Sequence, residues 1–237
     1  MTVELAGKIA LVTGGNRGIG FELCRQLLSL GATVILTARD KDRGEDAVRR
    51  LEAQDGKLFL FPLDVCDDLG PQKLAEFVTS QFGHLDILIN NAGVALDKFV
   101  PSADLDVAIL RDTLETNVLG VFKVTQALVP LLKESGDARV VNVSSQLGSL
   151  SAMTGYTLAY RMSKTALNAM TRVWAAEFQS ENVLVNSVCP GWVRTELGGD
   201  DAPVTAEEGA QQILALARIP QQGPSGTFRR DGVEHPW

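Results

Sequence analysis

One pair of residues carries the clearest chemical signal in this sequence. Tyr160 is followed four positions later by Lys164, and on a helix such positions lie on the same face. An ammonium group held beside a phenol favours the phenolate, so it would lower a tyrosine pKa that starts near ~10. A phenol tuned in this way can serve as a general acid or base. The alternative is a chance pair on a solvated helix face.

The elements that must position this pair form a regular alternation. Apolar and β-branched runs predict strands at 8–13, 32–38, 57–63, 86–90, 139–143, 183–188 and 226–229. Amphipathic stretches predict helices at 19–30, 40–54, 69–82, 105–134, 158–177 and 205–217. The alternation predicts an α/β Rossmann-type fold with a doubly wound, mostly parallel seven-stranded sheet flanked by helices. We expect one domain over 1–237, with a dinucleotide-binding part at about 1–140 and a catalytic part at about 141–237.

A glycine-rich turn joins the first predicted strand to the first predicted helix. It reads Thr13-Gly14-x-x-x-Gly18-x-Gly20, and its variable positions include Asn16, Arg17 and Ile19. Glycines allow a tight turn and leave no side chain near a pyrophosphate, while the following helix directs its N-terminus at the phosphates. Between a strand and a helix, this turn predicts the phosphate cradle of a dinucleotide site.

The end of the second predicted strand indicates which dinucleotide binds. An acidic residue there would accept a hydrogen bond from the ribose 2′-hydroxyl of NAD and repel a 2′-phosphate. This chain has Ala38 followed by Arg39, which can bind a phosphate with two hydrogen bonds. Arg17 could add a second positive charge, although Asp40 is adjacent and either arginine could simply be solvated. We therefore expect NADP(H) to be preferred over NAD(H).

Composition excludes several classes of function. A net charge of −7 argues against nucleic-acid and anionic-membrane partners, and no apolar run is long and uncharged enough to span a membrane. The three cysteines form no C-x-x-C motif and the N-terminus does not resemble a secretion signal, so we expect a cytoplasmic protein. The only histidines, His84 and His235, fit neither a serine hydrolase nor a metal site.

The ordered motifs resemble the classical short-chain dehydrogenase/reductase family. In chain order they are the glycine turn, Asn90-Asn91-Ala92-Gly93, Asn117, Val143-Ser144-Ser145, Tyr160-x-x-x-Lys164 and Pro190-Gly191. The stretches at 36–40 and 223–226 are similar to those of its carbonyl-reductase-like branch.

The resemblance implies a catalytic tetrad of Asn117, Ser145, Tyr160 and Lys164. Tyr160 would protonate a carbonyl oxygen as hydride arrives, Lys164 would hold the nicotinamide ribose and lower the tyrosine pKa, and Ser145 would hydrogen-bond the substrate oxygen. Asn117 would position a water molecule, or it could be a buried asparagine bonded to the backbone. The second serine of the pair matches the family motif, although the segment 146–159 is about two residues longer than the common pattern.

The same resemblance implies further contacts with the cofactor and the substrate. Asp64 would accept from the adenine amino group or cap a helix, and Thr195 would meet the carboxamide or be an ordinary loop residue. The remaining expected cofactor contacts are Val65, Asn91, Ala92, Gly93, Pro190, Gly191 and Val193. Substrate walls could include Leu147, Tyr156, Trp192 and Leu197, which could also be core or interface residues.

These expectations combine into an NADPH-dependent reductase of a small-molecule ketone or aldehyde. The alternatives are a non-catalytic NADP(H)-binding sensor or scaffold, and a reductase of acyl-thioester or sugar substrates. The family usually forms oligomers, and the enlarged insertion that accompanies monomeric carbonyl reductases is missing before Tyr160. We therefore expect a homo-dimer or homo-tetramer.

Overall fold

The computed structural model of the protein describes residues 4–51 and 57–237. Within these residues, eight strands form one sheet in the order β3-β2-β1-β4-β5-β6-β7-β8. The strands are β1 (Ile9–Val12), β2 (Thr33–Ala38), β3 (Leu58–Pro62), β4 (Ile87–Asn90), β5 (Ala138–Val143), β6 (Val183–Cys189), β7 (Phe228–Arg230) and β8 (Val233–Glu234). The first seven are parallel, which confirms the predicted α/β fold.

The predicted strand count of seven was one too low. After a tight turn at Asp231 and Gly232, both with positive φ, β8 returns antiparallel to β7 and pairs Arg229 with Glu234. Because this strand has two exposed residues, it has no apolar alternation that a sequence pattern could reveal.

The helices cover both faces of the sheet. They are α1 (Gly18–Ser29), α2 (Lys41–Leu51), α3 (Gly70–Phe82), α4 (Val107–Leu114), α5 (Val121–Glu134), α6 (Leu158–Glu177) and α7 (Ala206–Ala217). The helix predicted at 105–134 is divided by a π-helical turn, Glu115–Gly120, between α4 and α5. The predicted end of α2, 52–54, lies outside the described residues. No helix in the described ranges is long and apolar enough to cross a membrane.

Two apolar clusters hold the helices against the sheet. Alternate residues of β1 point to opposite faces, so Leu11 packs into the cluster that includes α3, α5 and α6, and Val12 packs into the cluster with α1 and α7. Burial on both faces explains why the central strands are continuously apolar.

The strand order reverses direction at β1, which lies between β2 and β4. In doubly wound sheets, ligands bind at the carboxyl ends of the strands where the order reverses. The glycine turn follows β1 and the loop at 91–106 follows β4, so both meet at this position. The segments after β5 and β6 extend the same edge.

Candidate active site

Thr13 is the centre of the hydrogen bonds that join the ends of β1 and β4. Its hydroxyl oxygen accepts from the backbone N–H groups of Asn91 and Ala92, at 3.0 Å each. The side-chain amide of Asn91 in turn donates to the carbonyl oxygens of Thr13 and Gly14. Asn91, which the motif predicts as a cofactor contact, therefore also fixes the shape of the glycine turn.

The glycine turn leaves no space for side chains where the chain turns into α1. A Cβ at Gly20 would lie 2.1 Å from the carbonyl oxygen of Gly14 and 2.6 Å from the side-chain nitrogen of Asn91. Gly14 and Gly18 have φ values of 64° and 52°, a region that side chains disfavour. The turn therefore lets a phosphate group come close to the backbone at the N-terminus of α1. Asn16 and Ile19 lie in it, partly exposed.

Arg39 is exposed at the carboxyl end of β2, and no ion pair involving it is formed within the described ranges. An open depression of about 440 Å³ is lined there by Arg39, Asp40, Lys41, Asp42 and Arg43. The Asp40 carboxylate accepts a hydrogen bond from the backbone N–H of Arg43, in the first turn of α2. The site thus presents a free guanidinium to an anion. Arg17, in contrast, pairs with Glu196 of the loop after β6.

Asp64 and Val65, two predicted cofactor contacts after β3, take part in local hydrogen bonding and packing. Asp64 accepts from the backbone N–H of Cys66 at 3.0 Å, so it closes a turn. It does not cap α3, which begins at Gly70 after Leu69. Val65 is buried against Gly120 of the π-helical turn, where a Cβ would lie 2.8 Å from its side chain.

The loop after β6 folds over the glycine turn. A Cβ at Gly18 would lie 3.0 Å from a side-chain carbon of Thr195, whose hydroxyl accepts from the backbone N–H of Gly198. Gly191, after Pro190, has a φ of 89°, and buried Val193 forms an isolated parallel bridge with Val204. The loop therefore brings the predicted residues Pro190, Gly191, Val193 and Thr195 to the edge that the glycine turn occupies.

Tyr160, Ser145 and Lys164 come together at the carboxyl ends of β5 and β6. The Ser145 side chain lies at the Tyr160 phenol, close enough to lower the pKa of that phenol. The amino nitrogen of Lys164 lies 5.5 Å from the centre of the Tyr160 ring and donates to the carbonyl of Val143 at 2.8 Å. The structure thus brings together three members of the predicted tetrad.

The pKa of Tyr160 differs from the sequence-based expectation. Burial raises the pKa of Tyr160 to about 12, with Cys189 adding to the rise and the Ser145 side chain opposing it. The residue is partly exposed, but its hydroxyl is desolvated. Burial also lowers the pKa of Lys164 to about 8, against an opposing effect of Cys189. The expected lowering of the tyrosine pKa by Lys164 was wrong, because burial of the phenol raises its pKa and Lys164 is not among the groups that shift it.

The two neighbouring serines point to different partners. Ser144 is buried and donates to the side-chain oxygen of Asn168 at 2.7 Å, within the packing of α6 against β5. Ser145 is partly exposed and its oxygen also accepts from the N–H of Leu147. The geometry therefore places Ser145, and not Ser144, next to Tyr160.

Asn117 lies in the π-helical turn and is fully buried. Its amide nitrogen donates to the Val94 carbonyl and the Ser163 hydroxyl, and its oxygen accepts from the Val94 N–H. The side chain thus binds backbone, as one sequence interpretation held, and the water-positioning role stays a prediction. A Cβ at Gly93 would lie 3.2 Å from the Asn117 oxygen and 3.6 Å from the Lys164 nitrogen, so this glycine keeps the space between them open.

Apolar side chains are exposed on the loops that follow β4, β5 and β6. Of the predicted substrate residues, Tyr156, Trp192 and Leu197 are exposed and Leu147 is partly buried. Leu96 and Phe99, on the loop after β4, are also exposed and were not predicted. Three loops therefore contribute apolar surface at the carboxyl edge of the sheet, which suits an apolar ligand.

Sequence reasoning missed two buried charged residues beside Tyr160. Asp97 accepts hydrogen bonds from the backbone of α6, and Arg161 binds the segment that precedes this helix. An isolated carboxylate within the apolar loop after Gly93 was the only available signal for Asp97. The described residues contain no group of three or more metal-ligating side chains.

Comparison with known proteins shows the family. The family model for short chain dehydrogenases matches residues 8–204. Salutaridine reductase of Papaver somniferum is 35% identical, with 93% of each chain covered, and carbonyl reductase [NADPH] 1 of Mus musculus is 32% identical, with 97% of this chain and 98% of the mouse protein covered. The chain belongs to the short-chain dehydrogenase family, whose members are oxidoreductases that bind a nicotinamide cofactor.

Solved structures agree with this assignment. NADPH-bound carbonyl reductase from chicken fatty liver superimposes with a TM-score of 0.90 at 29% identity, covering 99% of this chain and 96% of that one. The alignment with Papaver salutaridine reductase runs over 294 positions, more than the 237 residues of this chain. That relative therefore contains residues that have no counterpart here.

Proposed function

We propose that this protein is an NADP(H)-dependent reductase that converts a ketone or aldehyde to the alcohol, reversibly, with Tyr160 as general acid and base. The observation that carries the proposal is that the Ser145 side chain lies at the Tyr160 phenol, with Lys164 beside the ring, at the sheet edge that also holds the glycine turn. A phenol and a hydroxyl that converge on one point can bind a single carbonyl oxygen.

The shape and charge of the adjoining site fit a phosphorylated dinucleotide. In the glycine turn, only backbone occupies positions where a side chain would clash with its neighbours. Arg39 carries an exposed guanidinium that has no ion-pair partner in the described structure. Mouse carbonyl reductase is named for NADPH, and the chicken enzyme was solved with NADPH bound. We propose that Arg39 binds the 2′-phosphate and that Gly14, Gly18 and Gly20 make room for the pyrophosphate.

The reacting residues have separate tasks. When bound, a reduced nicotinamide supplies the hydride that the carbonyl carbon accepts. Tyr160 transfers its proton to the carbonyl oxygen, and its raised pKa of about 12 keeps it protonated at neutral pH until that transfer. The Ser145 hydroxyl stabilises charge on the same oxygen, and the Lys164 ammonium favours the phenolate that Tyr160 becomes.

The exposed apolar side chains on the loops at this sheet edge suggest the kind of carbonyl compound. Phe99, Tyr156 and Trp192 expose aromatic surface on three different loops around the site. The relatives include salutaridine reductase and, in Capsicum annuum, (+)-neomenthol dehydrogenase. We propose a bulky, apolar, uncharged ketone or aldehyde as the substrate.

We also propose that the protein assembles as a homo-dimer or homo-tetramer in the cytoplasm. Leu119 and Phe122 near the start of α5, and Met162 and Val173 on α6, are large apolar residues that remain exposed in the single chain. Light scattering tests the assembly, and a monomer at micromolar concentration would contradict it. The three cysteines are free thiols, in keeping with a reducing compartment.

The direct test of the function is oxidation of NADPH, followed by absorbance, with aryl ketones, quinones, 1,2-diketones and β-keto esters. NADH is measured in parallel. We expect turnover with NADPH, and lower kcat/KM with NADH. Tight NADPH binding without turnover on any compound would instead favour a non-catalytic sensor.

A further inference from the structure

The helix that carries Tyr160 begins in a strained conformation. Tyr156 and Thr157, the two residues before α6, have φ values of 64° and 58°. Residues other than glycine rarely adopt this left-handed region, and such strain persists only where the surrounding structure fixes it. Thr157 is the N-cap residue, but its side chain caps nothing.

A distant carboxylate replaces the missing cap. Asp97, on the loop after β4, is 0% exposed. Its oxygens accept from the backbone N–H of Ala159 at 2.6 Å and from that of Tyr160 at 3.3 Å. The first N–H groups of a helix have no partner within the helix, and a negative charge is favoured at this end.

No basic side chain forms an ion pair with Asp97 within the described ranges. A buried carboxylate without a counter-charge is tolerated only where N–H donors compensate for lost water. The start of α6 is therefore the main compensation for this charge. The contact includes the backbone of Tyr160 itself, so it bears directly on where the phenol lies.

The Arg161 side chain binds the strained segment that precedes α6. It is 7% exposed; its Nε donates to the Tyr156 carbonyl at 3.0 Å, and a terminal nitrogen donates to the Thr154 hydroxyl at 2.6 Å. Its backbone N–H also bonds the carbonyl of Thr157. Asp97 thus holds the first turn of α6, and the Arg161 side chain holds the segment that leads into it.

We propose that Asp97 is a positioning residue for Tyr160, acting through the first turn of α6. It lies four residues after Gly93, so it connects the loop beside the cofactor site to the helix that carries the proton donor. Arg161 supports the same geometry. This role rests on the proposed function of Tyr160 in proton transfer.

The test compares Asp97→Ala and Asp97→Asn with Asp106→Ala. Asp106 is the matched control, since its exposed carboxylate caps α4 by accepting from Ala108 at 2.8 Å. For each variant we would measure kcat, KM, NADPH affinity by fluorescence, the melting temperature, and hydrogen exchange of peptides that cover 157–162.

We expect kcat of Asp97→Ala to fall about 10- to 100-fold, because small displacements of a reacting group have effects of this size. NADPH affinity should change little, and exchange should rise at 157–162. Asp97→Asn, which keeps one acceptor oxygen and the same shape, should recover part of the lost kcat. Asp106→Ala should lower the melting temperature and leave kcat unchanged.

An unchanged kcat in folded Asp97→Ala, or an equal loss in Asp106→Ala, would overturn the positioning role. If Asp97→Ala fails to fold, the Asp97→Asn variant decides. A wild-type kcat in that variant, together with increased hydrogen exchange at 157–162, would also overturn the positioning role. Absence of any carbonyl turnover by the wild-type protein, with 157–162 protected from exchange, would instead overturn the proposed function and this role with it.

Discussion

The amino group of Lys164 lies over the Tyr160 ring, 5.5 Å from its centre, and its hydrogen bond goes to the Val143 carbonyl. The helical spacing of the two residues correctly predicts that they are neighbours. It does not predict that burial would control both groups, raising the pKa of the phenol and lowering that of the ammonium. Tyr160 is consequently held as a protonated acid at neutral pH.

The two serines provide a test of which hydroxyl takes part in the reaction. Ser145→Ala should lower kcat about 10²-fold, the usual effect of removing one donor to a developing oxyanion, and leave stability nearly unchanged. Ser144→Ala should lower the free energy of unfolding by about 1–3 kcal/mol, because the buried oxygen of Asn168 loses its donor. Steady-state kinetics and urea denaturation of both variants measure this. The reverse pattern would assign the reaction to Ser144.

Arg39 is predicted to decide the choice of dinucleotide. Arg39→Asp should raise KM for NADPH and favour NADH, since an acidic side chain at the end of β2 repels the 2′-phosphate and can bind a free ribose hydroxyl. The ratio of kcat/KM values for the two cofactors is the measurement. Arg49→Asp, an exposed change later on α2, is the control for altered net charge. A retained preference for NADPH would mean that another cation, such as Arg17 or Lys41, binds the phosphate.

A buried carboxylate at the opposite edge of the sheet is predicted to make stability depend on pH. Burial opposes ionisation of Asp86, but hydrogen bonds from the Ile9 N–H, Lys8 and Ser135 outweigh it and hold the pKa below its usual value. A lowered folded-state pKa stabilises the fold above the unfolded-state value, and this stability is lost as pH falls through the folded-state value.

Asp86→Asn should therefore lower the free energy of unfolding by about 1–3 kcal/mol at pH 7, with the difference from wild type shrinking below about pH 4. Urea denaturation between pH 7 and pH 3 measures it. Asp68→Asn, which removes an exposed ion pair with Lys123, should have a smaller effect. A difference between Asp86→Asn and wild type that does not depend on pH would contradict this account.

The parallel, doubly wound sheet follows from the sequence because each central strand is a continuous apolar run and helices alternate with the strands. The break between α4 and α5 could not be predicted in the same way. The π-helical turn between them contains Asn117, whose side chain bonds the Val94 backbone 23 positions earlier, and no local pattern reveals such a contact between separate elements.

The candidate site also has features that the sequence predicts and features that it does not. Tyr160, Lys164 and the glycine turn are recognisable because their spacing along the chain is fixed by local geometry. Asp97 is 63 positions from Tyr160, and no local pattern reveals that its carboxylate reaches the first turn of α6. The shift in the pKa of Tyr160 was predicted with the wrong sign because burial of the phenol and the electrostatic effect of Cys189 both depend on the packing of segments that are distant along the chain.

The most direct test of the central claim is NADPH oxidation by wild-type protein and by Tyr160→Phe, with NADPH affinity measured for both. Phenylalanine keeps the ring and removes the proton that the carbonyl oxygen must receive. We predict unchanged affinity for NADPH and a kcat at least about 10²-fold lower, the lower end of what a general acid contributes. A Tyr160→Phe variant that reduces the carbonyl substrate at the wild-type rate would show that Tyr160 is not the proton donor.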